Sequence, residues 1–283
     1  MTVPDRTGIV HVVATPIGNL EDTSQRALRV LREVSLIACE DTRRTARLCA
    51  RFDIRTPRVS LHAHNEARRL PGLLRKLEAG ESIAVVSDAG TPLVSDPAAR
   101  LVREAAAAGF RVVPVPGPSA VLAALVASGL PAERFAFFGF RPRSGRRRGA
   151  WLEQVAAFPG TVIVFEAPGR VGDTLRDLFE RLGPRPVAVA RELTKRHEEV
   201  LRGQLGEIEI SKLRGEVTLV IGGPAESPPV PLEDAQGQAL ELARLGLPTR
   251  EAARRLAAAT GLSQKRAYAL ILGTRDPDPG DDS

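Results

Sequence analysis

Short apolar runs alternate with amphipathic segments along the first 130 residues of the chain. Five runs are strand-sized and end in turn-forming residues, and they predict strands at 8–14, 35–41, 58–64, 82–88 and 111–117. The intervening segments have helical spacing and predict helices at 23–34, 42–52, 65–80, 96–109 and 118–129. Repeated strand–helix units of this length are typical of a mostly parallel sheet with helices on both faces.

Two details of these helices depend on single residues. Asp96 can cap the fourth helix, with Pro97 at its first position and Gly109 after its end. Pro71 lies within the third helix, and we expect that helix to be interrupted or to restart there, because proline removes a backbone donor.

The pattern changes near residue 131. Strands are predicted at 134–140, 161–168, 185–194 and 215–223, with a helix at 170–183, so this part forms a second and less regular α/β unit. Residues 141–150 are predicted to form a basic, flexible loop, and residues 197–210 fit neither periodicity. The proline-rich stretch 224–234 is typical of a linker, and only helical patterns follow it, at 235–271.

The predicted fold class is therefore α/β, with two α/β domains and a small all-α domain at the C-terminal end. We place an N-terminal α/β domain at 8–130, a C-terminal α/β domain at 131–224, a linker at 225–232, a helix-turn-helix domain at 233–273 and a disordered tail at 274–283. In the helical domain, Gly261 makes the turn and Ser263 can cap the second helix. Its outer face would be basic, through Arg250, Arg254, Arg255, Lys265 and Arg266; a helical hairpin packed as a structural cap is the alternative.

Composition adds a charge argument to this picture. The net charge is +6, and arginine supplies 36 of the 40 basic residues, which suits phosphate recognition; an overall compositional bias of the genome would explain it equally. Cys39 and Cys49 lack metal-ligand spacing and are predicted to be buried thiols in a reducing compartment. Neither a signal peptide nor a membrane span is predicted, which indicates a cytoplasmic protein.

Three loops follow predicted parallel strands and would meet at one edge of the sheet: 15–19, 88–96 and 116–120. Ligands of open α/β sheets bind in the crevice at that edge. Each loop alone is explained as a tight turn, but three together favour a binding cleft. The Gly-x-Gly-x-x-Gly and Gly-x-x-x-x-Gly-Lys fingerprints are absent from the chain, which argues against ordinary dinucleotide and ATP sites.

Eight motifs occur in order between residues 10 and 223: "ATPIGNLEDTSQRAL", "CEDTRRTARL", "HAHNE", "SDAGTPLVSDPA", "VPVPGPSAVLAALVASGLP", "FFGFRPR", "FEAPGRV" and "ARELTKRHEEVLRG". Together they resemble the tetrapyrrole methylase-like, or class III, S-adenosylmethionine-dependent methyltransferases, and in particular the ribosomal RNA subgroup. The resemblance implies two α/β domains of the tetrapyrrole methylase type with S-adenosylmethionine in a cleft between them, no metal, and a homodimer.

Matching positions imply the site residues. Contacts with the methyl donor would come from Ile17, Gly90, Thr91, Val94, Ser119, Ala120 and Phe165, and Asp88 would be either a contact or a brace of its loop. Most relatives have Gly-Asp-Pro where this chain has Gly90-Thr91-Pro92, so an acidic contact is lost here.

The RNA subgroup methylates the ribose 2′-hydroxyl of a cytidine in the decoding region of small-subunit (16S) rRNA. The resemblance therefore implies that activity, with the rRNA or the assembled small subunit as partner. A general base for the hydroxyl could be Asp41, His64, Glu66 or Lys195. Three of them have a structural alternative: Asp41 could cap a helix, His64 could be a hydrogen-bonded strand-end residue, and the segment of Lys195 could be a solvated charge run.

The basic loop is the candidate RNA-binding element, through Arg141, Arg143, Arg146, Arg147 and Arg148. A mobile surface loop without such a role is the alternative. Two other functions compete with rRNA methylation: a precorrin or corrin methylase of the same fold, and a non-catalytic RNA-binding module. The basic charge, the arginine loop and the extra helical domain favour RNA, although a polycarboxylate tetrapyrrole would also bind arginine. The three convergent loops favour an enzyme over a simple binder.

Overall fold

The computed structural model describes residues 7–94, 98–210, 212–224, 232–262 and 264–274. The chain divides into two compact units, Met1–Gly223 and Pro224–Ser283. Among the described residues, the first unit contains two five-stranded sheets and the second contains three helices.

The first sheet is parallel throughout, as predicted. Its strands are β1 (Ile9–Val13), β2 (Leu36–Cys39), β3 (Arg58–Ser60), β4 (Ile83–Val86) and β5 (Arg111–Val115). They lie in the order β3-β2-β4-β1-β5, and every neighbouring pair is parallel. The three strands that precede the convergent loops, β4, β1 and β5, are therefore adjacent.

Helices cover both faces of this sheet, because alternate residues of a strand point to opposite sides. On one face, α1 (Gln25–Glu33) and α2 (Thr42–Arg51) pack on a core that contains Ala84 and Val86 of β4. On the other face, α3 (Glu66–Glu78) and α4 (Ala99–Ala107) pack on a core that contains Ile83 and Val85. The prediction of a sheet covered on both faces is confirmed.

The prediction of a break at Pro71 is wrong, since α3 runs through this proline without interruption. Leu70, Leu73 and Leu77 lie along one side of α3 and are buried in the core. Burial of this apolar stripe offsets the one hydrogen bond that proline removes. The expected cap at Asp96 and Pro97 lies outside the described residues.

A carboxylate from another helix satisfies the N-terminus of α4. Ala98 precedes this helix with φ of 79° and provides no side-chain cap. Instead, Oε1 of Glu66 accepts hydrogen bonds from the backbone N–H groups of Arg100 and Leu101, at 3.1 and 3.0 Å. Glu66 thereby links α3 to α4, in the role that a capping residue normally takes.

The second sheet is mixed. Its strands are β6 (Phe135–Phe140), β7 (Thr161–Glu166), β8 (Pro186–Arg191), β9 (Glu199–Gln204) and β10 (Val217–Ile221), in the order β6-β7-β10-β8-β9. Only the β6–β7 pair is parallel. The ambiguous segment 197–210 thus supplies an edge strand, β9.

The helix before this sheet joins the two halves of the first unit. α5 (Ala120–Ser128) follows β5 of the first sheet, but its buried side packs against the second sheet. Val121 and Leu125 lie in one cluster with Ile163 of β7 and Val220 of β10. The sequence boundary drawn at residue 130 assigns α5 to the first domain, whereas its packing belongs to the second sheet.

The opposite face of the second sheet is covered by α6 (Gly145–Ala157) and α7 (Val171–Leu182). The prediction of a flexible loop at 141–150 is therefore wrong over 145–150. Trp151 and Val155 are buried on one side of α6, and the indole N–H of Trp151 donates to the carbonyl oxygen of Phe138 at 2.9 Å. The burial and hydrogen bond of Trp151 stabilise α6, although Gly145 and the following arginines make its first turn resemble a loop in the sequence.

The second unit consists of α8 (Leu232–Arg244), α9 (Thr249–Thr260) and α10 (Gln264–Gly273). Small side chains fill most of its core, including Ala235, Ala239 and Ala252. Gly261 ends α9 in the left-handed conformation with φ of 71°, which gives the predicted helix-turn-helix its turn; Ser263 lies outside the described residues. No helix within the described ranges is both long enough and apolar enough to cross a membrane.

Candidate functional site

The three convergent loops are joined to one another by hydrogen bonds. Thr15 and Gly90 form an isolated antiparallel bridge, with two backbone N–H to O=C bonds of 2.9 Å. The hydroxyl of Thr91 donates to the carbonyl oxygen of Pro118 at 3.2 Å, which attaches the third loop. The bridge needs glycine at position 90, because φ there is 78° and a Cβ would lie 3.3 Å from Cγ2 of Ile17.

A cleft of about 290 Å³ opens between these loops and the second sheet. From the first half of the unit its walls come from the loops after β4 and β5 and the start of α5, including Gly90, Thr91, Val94, Ser119 and Ala120. From the second half they include Phe165 at the end of β7. Six of the eight residues expected to contact the methyl donor therefore line one cleft.

The other two expected contacts lie behind this wall. Ile17 is buried and packs beside Gly90. Asp88 faces away from the cleft lining: its Oδ1 accepts the backbone N–H of Asp41 at 2.9 Å, and its Oδ2 lies 3.5 Å from Nε of Arg44. Of the two roles considered for Asp88, the geometry favours the brace.

Sequence reasoning missed two segments of the lining. The first follows Phe165 and comprises residues 166–168, and the second comprises residues 215–218 at the start of β10. The "FEAPGRV" motif signalled the first segment, but no motif marked the second. Both come from neighbouring antiparallel strands of the second sheet, whose pairing could not be derived from the chain.

The first loop crosses tightly over a loop of the second half. A Cβ on Gly18 would lie 2.4 Å from Cγ of Lys195 and 2.8 Å from Oγ1 of Thr194. The crossing loop contains two residues other than glycine with positive φ, Glu192 at 49° and Thr194 at 67°. Such conformations cost about 1–3 kcal/mol each and persist only where the surroundings enforce them.

Two of the four candidate bases are held by opposite charges. Oδ1 of Asp41 caps α2 and both of its oxygens bond Arg43, so that the pKa of Asp41 falls to about 2. Burial lowers the pKa of Lys195, but hydrogen bonds to Glu192 and Glu216, at 2.8 and 3.1 Å, outweigh it and raise the pKa overall. Near neutral pH neither group is suited to accept a proton, because one is too weak a base and the other is already protonated.

The remaining two candidates lie elsewhere. The Glu66 carboxylate is occupied by the N-terminus of α4. His64 is exposed, 6.0 Å from the ring of His62, and does not line the cleft. The structure therefore does not bring Asp41, His64, Glu66 and Lys195 together in one site.

A carboxylate that sequence reasoning passed over lies beside Asp41. Burial, and then the charge of Asp88, raise the pKa of Glu40, although its carboxylate accepts the backbone N–H of Asp88. Glu40 follows β2 at the same sheet edge as the convergent loops. No signal in the chain distinguishes it from Asp41, because the difference arises from the residues packed around each.

Arg141 belongs to the arginine cluster predicted to bind RNA, but its side chain is buried. Its side chain is 4% exposed, its Nε donates to Thr174 at 2.7 Å and its Nη1 donates to Asp177 at 2.5 Å. Glu166, itself buried, lies 3.5 Å from Nε of Arg141 and accepts from the Thr174 hydroxyl at 2.6 Å. Arg141 thus anchors β6 to α7 behind the cleft and offers no group to solvent.

The other four arginines of that cluster lie at or near the start of α6. Arg143 precedes the helix, and Arg146, Arg147 and Arg148 lie in its first turn. The Nε of Arg148 is 3.8 Å from Asp177, so part of its charge is compensated.

In the second unit, Arg254 and Arg255 likewise pair with Glu251 while remaining more than half exposed.

The cleft suits a mostly apolar ligand with a few polar groups. Phe140 and Phe165 provide apolar walls, with their rings 5.5 Å apart, while Thr91 and Ser119 provide hydroxyls. Among the described residues, no three His, Cys, Asp or Glu side chains form a group that could hold a metal ion.

Comparison with known proteins decides the family. The family model described as Tetrapyrrole (Corrin/Porphyrin) Methylases matches residues 10–209, which is most of the chain. The chain belongs to the tetrapyrrole methylase family. Solved structures with this fold include a diphthine synthase, with a TM-score of 0.58 and 17% identity over 76% of this chain and 90% of the other. A uroporphyrin-III C-methyltransferase from Thermus thermophilus, complexed with S-adenosyl homocysteine, has a TM-score of 0.52 and 23% identity. The match covers 76% of this chain and 96% of the other.

Much nearer relatives exist within the tetrapyrrole methylases. A protein of Xylella fastidiosa named Ribosomal RNA small subunit methyltransferase I is 44% identical over 92% of this chain and 98% of its own length. A protein of Mycobacterium bovis with the same name is 44% identical over 93% of this chain and 94% of its own length. The resemblance inferred from the motifs is confirmed, and it extends beyond residue 223 into the helical unit.

Replacement of Arg141 tests its buried role. Arg141→Ala removes the buried cation beside Glu166 and Asp177, which keep only the more exposed Arg170 at 3.4 Å and Arg148 at 3.8 Å. Loss of one member of a buried ion pair costs about 3–5 kcal/mol of the free energy of unfolding. Arg146→Ala, on exposed α6, serves as the matched control and changes that free energy by less than about 0.5 kcal/mol. Urea denaturation measures both variants, and equal midpoints would contradict the structural role of Arg141.

Proposed function

We propose that this protein transfers a methyl group from S-adenosylmethionine to the 2′-hydroxyl of a cytidine ribose in the decoding region of small-subunit (16S) rRNA. One observation carries the proposal: the cleft between the two sheets is built from the motifs on which the family resemblance rests, in a chain 44% identical to relatives named Ribosomal RNA small subunit methyltransferase I. The partner is the rRNA or the assembled small subunit.

The cleft residues fit S-adenosylmethionine. Gly90 and Ala120 let a ligand approach the backbone, Thr91 and Ser119 offer hydroxyls, and Phe165 offers an apolar surface. When bound, the cofactor supplies a methyl group made electrophilic by its sulfonium. The residues of this chain hold the reacting groups in line and exclude water, and alignment of this kind can lower a barrier by about 7–11 kcal/mol.

RNA phosphates bind to the arginines at the start of α6. Arg143, Arg146 and Arg147 have no carboxylate partner within the described part of the chain, whereas Arg148 lies near Asp177. Their guanidinium groups release counterions from RNA when they neutralise phosphates. Arg141 is not part of this surface.

The protein forms a homodimer through the outer side of α5. This helix is apolar on all sides, and yet Leu122 is 52% exposed and Val126 is 77% exposed. A helix that is apolar all round is normally buried, so a second copy of the chain covers this side. Sedimentation equilibrium checks the dimer, and a monomer at micromolar concentration would refute it.

Methyl transfer from radiolabelled S-adenosylmethionine tests the main proposal. Purified small ribosomal subunits and naked rRNA are offered as acceptors, beside a polycarboxylate tetrapyrrole, and the methylated nucleotide is then mapped. Label in a cytidine ribose of the decoding region is the expected result. Label in the tetrapyrrole alone would instead establish a corrin-type methylase.

Thr91→Arg tests the cofactor cleft. The long cationic side chain fills the space beside Ser119 and repels the sulfonium, so calorimetry should detect no binding of S-adenosylmethionine. Ala107→Arg introduces the same side chain on the exposed side of α4 and should bind as the unmodified protein does. If Thr91→Arg also binds with unchanged affinity, the cofactor site lies elsewhere.

Replacement of Arg146, Arg147 and Arg148 together by alanine tests the RNA surface. Affinity for rRNA should fall and its dependence on salt should weaken, while affinity for S-adenosylmethionine stays the same. The matched control replaces Arg68, Arg69 and Arg103 on α3 and α4 by alanine, with the same change in net charge. An equal loss of salt dependence in both variants would indicate bulk charge and not a site on α6.

Truncation after Pro224 tests the helical unit. Because residues 224–283 form a separate compact unit, their removal should leave affinity for S-adenosylmethionine unchanged. Methylation of small subunits should fall, since the exposed basic residues of α9 and α10 then no longer hold the substrate. Wild-type rates in the truncated protein would show that this unit does not bind the substrate.

A further inference from the structure

A second pocket, of about 150 Å³, lies on the other side of the loop that follows β4. Its apolar side is formed by Pro16, Leu20 and Leu48, and its basic side by Arg44 and Arg47 of α2. A pocket with one apolar and one cationic side matches a nucleotide, whose base has flat, largely apolar faces and whose phosphate is anionic.

The two pockets share one wall. Ser87 and Asp88 line the second pocket, and the next residues of the same loop, Ala89 to Thr91, line the cofactor cleft. The bridge between Thr15 and Gly90 fixes this wall, and Thr15 itself lines the second pocket. A nucleotide held in the second pocket is therefore next to the site where methyl transfer is proposed to occur.

The two arginines of the pocket differ in their partners. The Nε of Arg44 lies 3.5 Å from Asp88, which fixes its position and compensates part of its charge. Arg43, outside the pocket, is fully engaged with Asp41. Within the described residues no carboxylate pairs with Arg47, so its guanidinium is the uncompensated cation at this place.

Asp88 does not repel an anion from this pocket as a free carboxylate would. One of its oxygens accepts the backbone N–H of Asp41, and the other faces Arg44.

Leu20 is 42% exposed although large and apolar, and it lies at the edge of the same pocket. An apolar group of this kind gains by contact with a sugar or base, which a bare phosphate would not provide.

We infer that the pocket between Arg47 and Leu20 binds a nucleotide unit of the substrate RNA strand, next to the ribose that is methylated. Arg47 contacts its phosphate, with Arg44 as second donor, and Leu20, Leu48 and Pro16 contact its sugar and base. The inference rests on the proposed function, since it assigns a strand of RNA to the enzyme. A solvated basic side of α2 without ligand is the competing explanation.

Arg47→Ala tests the inference, with Arg51→Ala as its matched control. Both arginines lie on the exposed side of α2, one turn apart, and both changes remove one positive charge, but Arg51 does not line the pocket. Fluorescence anisotropy measures binding of a short, cytidine-containing single-stranded RNA. Arg47→Ala should weaken binding roughly tenfold and lower the slope of log affinity against log salt by about 0.7, whereas Arg51→Ala should change binding less than about twofold.

Two further variants separate charge from shape. Arg47→Lys keeps the charge and should retain much of the salt slope. Leu20→Ser removes apolar contact at constant charge, and should weaken binding while leaving that slope unchanged. If Leu20→Ser binds as the unmodified protein does, the pocket does not hold a sugar or base.

The failures of the two proposals are distinguishable. Absence of methyl transfer by the unmodified protein overturns the proposed function. Equal RNA affinities of Arg47→Ala and Arg51→Ala, with methyl transfer intact, overturn only the nucleotide pocket. Affinity for S-adenosylmethionine, which should be the same in every variant, confirms that each of them is folded.

Discussion

The pair of hydrogen bonds between Thr15 and Gly90 is the constraint on which the functional part of the molecule depends. Parallel strands β1 and β4 end side by side, at Val13 and Val86, and a separate loop follows each of them. The bridge joins them, and it requires the positive φ of Gly90. Because the same loop forms a wall of both pockets, a shift of the bridge would move the cleft and the second pocket together.

The arginines of this chain have different roles, which its overall charge composition does not reveal. The chain has 36 arginines, and their roles follow from their surroundings rather than from their number. Arg141 is enclosed by Glu166, Thr174 and Asp177, which lie 25 to 36 residues further along the chain, so the cluster "RPRSGRRRG" could not reveal its burial. Arg47, by contrast, lies in the "CEDTRRTARL" motif and has no carboxylate partner among the described residues.

Local patterns were sufficient for the first sheet and for most of the cleft. Its strands are short buried runs followed by turn residues, and the convergent loops follow from parallel order alone. The errors concern contacts between distant residues. The start of α6 depends on burial of Trp151, the continuity of α3 depends on three core leucines, and Glu66 caps a helix that begins more than 30 residues later. The β10 side of the cleft depends on antiparallel pairing that no local pattern encodes.

For the proposed transfer to a ribose hydroxyl, alignment has to contribute more than proton removal. A general base contributes about two to four powers of ten, which is less than the 7–11 kcal/mol available from well-oriented reactants. Asp41 is held ionised by Arg43, Lys195 is held protonated by Glu192 and Glu216, and Glu66 is occupied by α4. Glu40 is the carboxylate at the sheet edge whose pKa is raised, because burial and Asp88 both oppose its charge. In the proposed reaction, the loops position the two reactants, and Glu40 is a carboxylate at the same sheet edge whose affinity for a proton is increased.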